Sequence, residues 1–300
     1  MLLLAVLSGH ICGCDGAFVN LGGSEGALTA GNAGTGVAAG GGGVESWRVS
    51  GEPLMASDSF QLSNPTLTAD QQQIYYTQQA LGDAPPTLAV HATFDGQKLG
   101  GPSELSLTTD RFGVGSLAVS ADGSELWFSR FDETSGQSDI WRSVGQGDSW
   151  DPAMRVPELS TPFDDSPRPP AVAGTIMPLS SKPEGSVLMQ IYFATRGSDG
   201  TWSAPNQDHL ALVNSPKYLS ADGFLTEDGL SLYFASKRDG NSNLYVAHRA
   251  SLDGDFDEPA PLSVNTPSEE RMPWLSADER TMYFVSDQLG TYALYVATRE

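Results

Sequence analysis

One phrase recurs through the chain about every 51 residues, and no other feature restricts its fold as strongly. An aromatic-led pair follows an aspartate at a fixed distance: Tyr75-Tyr76 after Asp70, Trp127-Phe128 after Asp122, Tyr233-Phe234 after Asp228, Tyr283-Phe284 after Asp278. Successive pairs lie 52, 106 and 50 residues apart, so a degenerate copy must stand in the long gap. Residues 171–181, AVAGTIMPLSS, fill that place, with Met177-Pro178 at the aromatic position. A second marker gives the same count. LAVHAT, DIWRSV, QIYFATR, NLYVAHR and ALYVATR centre on Val90, Trp141, Tyr192, Tyr245 and Tyr295, which makes five copies.

Within a copy, short alternating runs are split by turn residues. LAVSADG reads as a strand running into a tight turn, SELWFSR as the next strand, and SDIWRSV as a third. A looser fourth starts at an aromatic residue: Trp150, Trp202 or Phe256. Four antiparallel strands per repeat of this length are the mark of a propeller blade, which buries its faces only by stacking radially on its neighbours. Gly (33) and Pro (19) exceed a sixth of the chain, in keeping with many turns. The fifth copy stops at Glu300 after its third strand. The missing strand is expected at the other end, in ESWRVSGEPL, where Trp47 stands one repeat before Lys98 and two before Trp150. Such a join leaves no blade with an unpaired edge. The expected fold is all-β: a single five-bladed β-propeller over residues 45–300, closed by the N-terminal strand.

The residues before it read as an address and a spacer. MLLLAVLSGHICGC is an apolar run too short to span a bilayer, ending in small residues. Residues 16–46 hold eleven glycines and no proline, lysine or arginine, so they cannot bury enough surface to offset their ordering. A Gly-rich coil of this length averages roughly 30 Å from end to end. The expected division is residues 1–14 as a signal segment, 15–44 as a tether and 45–300 as the domain. Cys12 and Cys14 are the only cysteines, so the domain has neither a disulfide framework nor a thiolate metal site. Lys+Arg 16 against Asp+Glu 37 gives −21, which repels phosphate backbones and excludes nucleic acid as a partner.

Two resemblances follow from these residues. Ile11-Cys12-Gly13-Cys14 resembles the bacterial lipobox, although the lysine or arginine usual near the start is missing. That resemblance implies lipid modification of Cys14 and a place in the envelope, facing the periplasm or the exterior. The LSADG-type turn with LYFAS and NLYVATR resembles the WD-like propeller repeat of the TolB family, well in copies two, four and five, poorly in three. This implies an extracytoplasmic propeller used for protein contacts, here expected to be a monomer without cofactor that recognises an envelope protein or cell-wall component.

Chemistry is sparse. There is no G-x-S-x-G, no H-E-x-x-H and no calcium loop; DGDFDE (253–258) suits a strand-joining turn better. His91 and His248 fall on third strands as packing or surface residues. The recurring aspartates are expected to close turns. The axial ends of the innermost strands offer Asn64, Ser116, Asp222 and Met272, with Arg168 in the third copy. The loops entering those strands add Asp58, Asp110, Arg111, Asp165, Glu270 and Arg271. The candidate partner face is therefore Asp58, Asp110, Arg111, Asp165, Arg168, Asp222, Glu270 and Arg271, read mainly as solvated loop charge. The alternative is a glycosidase-like hydrolase at the axial mouth, which needs a facing pair of carboxylates about 5–9.5 Å apart.

Overall fold

The computed structural model describes residues 45–82, 86–107, 113–133 and 135–300. The expected signal segment, Cys14 and the tether lie outside the described residues, as do Asp110 and Arg111. Five small antiparallel sheets make up the described chain, arranged as a five-bladed propeller.

The chain first lays down β1 (Arg48–Val49), then five circuits of the repeat, the third without an outer strand and the fifth completed by β1. Blade 1 is β2 (Phe60–Leu67), β3 (Gln73–Ala80), β4 (Leu88–Phe94) and β5 (Leu99–Glu104). Blade 2 is β6 (Leu117–Val119), β7 (Glu125–Asp132), β8 (Gln137–Gln146) and β10 (Met154–Arg155), with β9 (Ser149–Trp150) folded back on β8. Trp150 thus sits in a hairpin rather than leading the outer strand. Blade 3 is β11 (Asp165–Pro167), β12 (Ile176–Ser181) and β13 (Gln190–Thr195). Its outer edge is reduced to bridges from Phe193 to Asn206 and from Arg196 to Trp202. Blade 4 is β14 (Ser220–Leu225), β15 (Ser231–Asp239), β16 (Asn241–His248) and β17 (Ala260–Pro261). Blade 5 is β18 (Glu270–Leu275), β19 (Thr281–Ser286) and β20 (Ala293–Thr298), and its outer strand is β1.

The closure expected from the truncated fifth copy is present. Arg48 pairs with Thr298 and Val49 with Ala297, antiparallel. Trp47, 4% exposed, packs in the core between blades 4 and 5 with Tyr233, Leu244, Phe284 and Tyr295. The second aromatic residue of each pair lies with the inter-blade cores: Phe128 and Phe284 are 0% exposed. Both faces of a strand are apolar here because each blade is covered on both sides.

The recurring aspartates close turns in four blades by one repeated pattern. Asp70, Asp122, Asp228 and Asp278 each accept at Oδ1 from a hydroxyl two residues before and an amide two residues after. These bonds hold the carboxyls of Asp70, Asp122 and Asp278 below the usual carboxylate range, the hydroxyl of Thr68, Ser120 or Ser276 contributing most. The turns lie on one face of the ring, with the loops from third to fourth strands. The loops entering the innermost strands and those from second to third strands lie on the other.

Candidate axial site

The innermost strands β2, β6, β11, β14 and β18 stand side by side around the axis. Three of them carry the same irregularity. The ladder slips between Ser63 and Thr66, between Ala221 and Phe224, and between Arg271 and Trp274. At each slip one non-glycine residue is left-handed: Asn64 (φ 51°), Asp222 (φ 59°) and Met272 (φ 56°). A bulge adds one residue to a strand and re-aims its side chain. These are three of the axial positions picked out by the repeat, each six residues before its turn aspartate.

The bulged residues and their neighbours stitch the blades together. The Asn64 amide donates to Met272 Sδ at 3.1 Å, joining blades 1 and 5. Arg168 Nη2 donates to the Pro273 carbonyl at 2.9 Å, joining blades 3 and 5. Arg271 Nε meets Asp222 Oδ2 at 3.2 Å, joining blades 5 and 4, and the Asp222 amide donates to Ser180 Oγ at 3.0 Å, joining blades 4 and 3. Between blades 2 and 1 the Val119 amide donates to Thr66 Oγ1 at 3.2 Å. The Arg271–Asp222 pair is desolvated on both sides, so removing one partner strands the other charge. Ser116 binds through its backbone amide to Ser129 Oγ within blade 2.

The acidic residues of the entering loops are also committed. Asp165 begins β11 and takes the Thr161 amide at 2.6 Å and the Thr161 hydroxyl at 2.9 Å. Glu270 begins β18 and takes the Thr266 amide at 3.0 Å, the Thr266 hydroxyl at 2.5 Å and the Ser286 hydroxyl at 3.0 Å. Burial pushes the Asp165 carboxyl up to about 7 against these bonds, and raises Glu270 in the same way.

Of the residues expected at the mouth, the structure gathers Arg168, Asp222 and Arg271 at the axis and places Asp165 and Glu270 at the heads of their strands. All five are buried rather than solvated as loop charge. Asp58 stays exposed in the loop before β2. Asp110 and Arg111 fall outside the described residues. Among the described residues, no three His, Cys, Asp or Glu side chains converge as a metal site. His91 is buried, with Nδ1 2.7 Å from Asp148 Oδ1 and the ring tilted over Tyr75 at 4.9 Å; His248 is exposed.

Two features escaped the sequence reading. Asn214 and Asn265 each bracket one residue of the preceding third strand, accepting its amide and donating to its carbonyl: Ile191 and Leu244. Their signal was in the repeat, as Ser160-Thr161-Pro162, Asn214-Ser215-Pro216 and Asn265-Thr266-Pro267. The second is the cluster at the closing seam. Glu45 accepts from Tyr233 Oη at 3.0 Å and from Trp47 Nε1 at 3.1 Å, and pairs with Arg299 at 2.6 Å. Arg299 lies 4.8 Å over the Trp47 ring and pairs with Glu279 at 2.9 Å. Nothing local marks partners so distant in sequence.

Fold and axis together define a small closed β-propeller whose innermost strands are tied to one another by their own side chains. No protein-family model and no curated protein sequence matches the chain. Among solved structures it is similar to TolB from Acinetobacter baumannii: 17% identity, TM-score 0.50, covering 82% of this chain and 57% of TolB. The chain thus spans little more than half of TolB's length. It is also similar to an endo-arabinase from Bacteroides thetaiotaomicron: 13% identity, TM-score 0.53, covering 83% of this chain and 96% of the other. A family 117 glycoside hydrolase from Zobellia galactanivorans aligns at 13% identity and TM-score 0.54, covering 85% and 89%. At such identities the likeness shows the fold alone.

Proposed function

We propose that the chain is a lipid-anchored, non-enzymatic recognition module of the bacterial envelope, of the TolB-like repeat kind, binding an envelope protein or cell-wall component. One observation carries the non-enzymatic part. The carboxylates of the innermost strands, Asp165, Asp222 and Glu270, are at most 2% exposed, and each is engaged by a neighbour of its own chain. A glycosidase needs two carboxylates open to the scissile bond. The fold supports recognition in general, since a rigid ring presents its loops at fixed spacing. The lipid anchor rests on the lipobox resemblance around Cys14.

The hydrolase reading has one residue in its favour, Asp165, whose carboxyl sits near 7 as a general acid's does. A screen on glycoside substrates decides between them. No turnover is expected from the purified protein; turnover abolished by Asp165→Asn or Asp222→Asn would overturn the non-enzymatic reading. For the anchor, Cys14→Ser is expected to move the protein from membrane to soluble envelope fraction and to abolish labelling with a palmitate analogue. Labelling that survives the substitution removes the lipobox from consideration.

A further inference from the structure

Two seams of the ring carry the same arrangement of side chains. Between blades 4 and 5, Trp47 meets Tyr233 edge to face at 6.4 Å, and Arg299 lies 4.8 Å over the Trp47 ring. Between blades 2 and 3, Trp202 meets Trp127 edge to face at 5.7 Å, and Arg196 lies 5.5 Å over the Trp202 ring. The two sets occupy the same repeat positions: Trp202 answers to Trp47, Trp127 to Tyr233 and Arg196 to Arg299. What they hold differs. At the closing seam one carboxylate, Glu45, takes the Trp47 indole N–H, the Tyr233 hydroxyl and the Arg299 guanidinium. Glu45 stands two residues before Trp47; two residues before Trp202 stands Gly200, where an added Cβ would meet nothing within 4 Å. Trp127 and Trp202 are 1% and 7% exposed, and neither indole N–H finds an acceptor among the described residues. Nor does Nε of Arg142, whose guanidinium lies 5.4 Å over the Trp127 ring. Buried donors are nearly always paired, so three in one seam mark a place built to receive an acceptor.

We infer that the seam between blades 2 and 3 binds a carboxylate, the glutamate side chain of a partner segment, seated as Glu45 is seated at the closing seam. Charge agrees with this. Arg142 and Arg196 share a single acid, Glu125, which leaves one positive charge among the three in a chain of net −21. A singly charged carboxylate balances it, and its flat pair of oxygens suits guanidinium and indole donors together. The Arg142 and Arg196 side chains are 26% and 27% exposed, so the site is reached from solvent past them. Strand register sets Glu125, Trp127, Arg142, Val144 and Met154 on one face of blade 2, since cross-strand partners share a side. Met154 and Val144 are 64% and 40% exposed there, so a glutamate with an apolar neighbour fits this border. The seam between blades 3 and 4 makes the contrast. Its rings are replaced by Met177 and Phe256, which have no N–H to give, and Arg249 turns to the carbonyls of Gly229 and Leu252. The inference uses neither the anchor at Cys14 nor the axial acids, so it stands or falls apart from the proposed function.

The chain has six tryptophans, so the 15N-labelled full-length protein gives six indole N–H signals, assigned by single tryptophan-to-phenylalanine substitutions. The probe is a tetrapeptide, glycine-glutamate-leucine-glycine, blocked at both ends so that its only charge is the side-chain carboxylate. The same peptide with glutamine is the control. The Trp127 and Trp202 signals should move together and saturate with the glutamate peptide, and should stay in place with the glutamine peptide. Trp202→Phe keeps a ring and removes one donor. A hydrogen bond to a charged acceptor is worth roughly tenfold in affinity, so binding read at the Trp127 signal should weaken by about that factor. Inorganic phosphate at matched ionic strength should leave both signals where they are. No movement of the two signals at tens of millimolar peptide, equal movement with the glutamine peptide, or full affinity in Trp202→Phe overturns the inference. Phosphate that saturates the same two signals overturns it as well, because the seam then takes anions without choosing a carboxylate.

Discussion

Blade 5 is assembled from the two ends of the described chain, whereas blade 3 is built from one continuous stretch. The discontinuous blade is nevertheless the more regular. It keeps the aspartate turn, the aromatic pair, four paired strands and a bulge at the axis. Blade 3 has Pro178 where the others have the second aromatic residue, no turn aspartate, and an outer edge of two isolated bridges. Continuity in sequence is therefore not what keeps a blade whole; its flanking cores are. Between blades 2 and 3, Trp127 and Trp202 meet edge to face at 5.7 Å, and Leu159, Met177 and Ile140 complete that core. Pairing seals blade 5, and packing on its neighbours seals blade 3.

The largest expected effect comes from breaking the seam of blade 5. Removing residues 1–51 takes away β1, the ladder to β20 and the buried Trp47. Losing a packed indole costs on the order of 3–5 kcal/mol, and each ladder bond about 1 more. A domain with roughly 5–15 kcal/mol in hand should unfold in milder denaturant or aggregate through its bared edge. Removing residues 1–44 spares Glu45 and Trp47 and should leave the denaturation midpoint unchanged. Removing residues 1–46 should fall between, because Glu45 then leaves Tyr233 and Arg299. Equal midpoints for the longest and shortest truncations would refute closure by the N-terminal strand.

A smaller effect separates the acids that begin β11 and β18. Burial raises the folded-state pKa of Asp165 from about 3.8 to about 7, so the folded state binds its proton more tightly than the unfolded chain. The stabilising contribution is fully present below about pH 4 and is lost as pH rises through about 7. Asp165→Asn removes this titration. Its stability relative to the parent should therefore improve steadily between those limits, by a few kcal/mol at most. Thermal melts of both proteins across that range provide the check, and parallel curves contradict it. Glu270 is raised in the same direction and should behave alike, whereas Asp278→Ala loses only a turn and about 1 kcal/mol.

Nearly all of the fold was legible in the sequence, because a propeller writes its architecture five times and one poor copy can be located by arithmetic. Trp47 could be assigned to blade 5 because it stands one repeat ahead of its counterpart. The axis was legible as positions but not as chemistry. That Asp222 would be taken by Arg271 depends on which side chains the bulges of β14 and β18 turn toward each other, whereas Asp165 is held by Thr161 four residues before it. Spacing along one chain says little about contacts between blades. The Glu45–Arg299 pair spans almost the whole domain, and its residues look like ordinary surface charge until the ring is closed.

The smallest effect probes why blade 3 tolerates so poor a copy. In blades 1, 2, 4 and 5 the turn places one left-handed residue just after the aspartate: Gln71, Gly123, Gly229 and Glu279. Blade 3 instead runs Val172 (φ 54°), Ala173 (φ 54°) and Gly174 (φ 74°) in succession, without an aspartate to close the loop. A left-handed L-residue costs about 1–2 kcal/mol, and glycine avoids most of that while losing more freedom on folding. Ala173 is exposed and its amide donates to Glu227 of blade 4, a bond that glycine keeps. Ala173→Gly should therefore raise stability slightly, by about 0.5–1 kcal/mol. The same change at Ala153, a half-buried loop residue of blade 2 without positive φ, should lower it. Opposite signs at the two sites in chemical denaturation identify backbone strain as the defect of blade 3. Equal signs place the defect in its missing outer ladder.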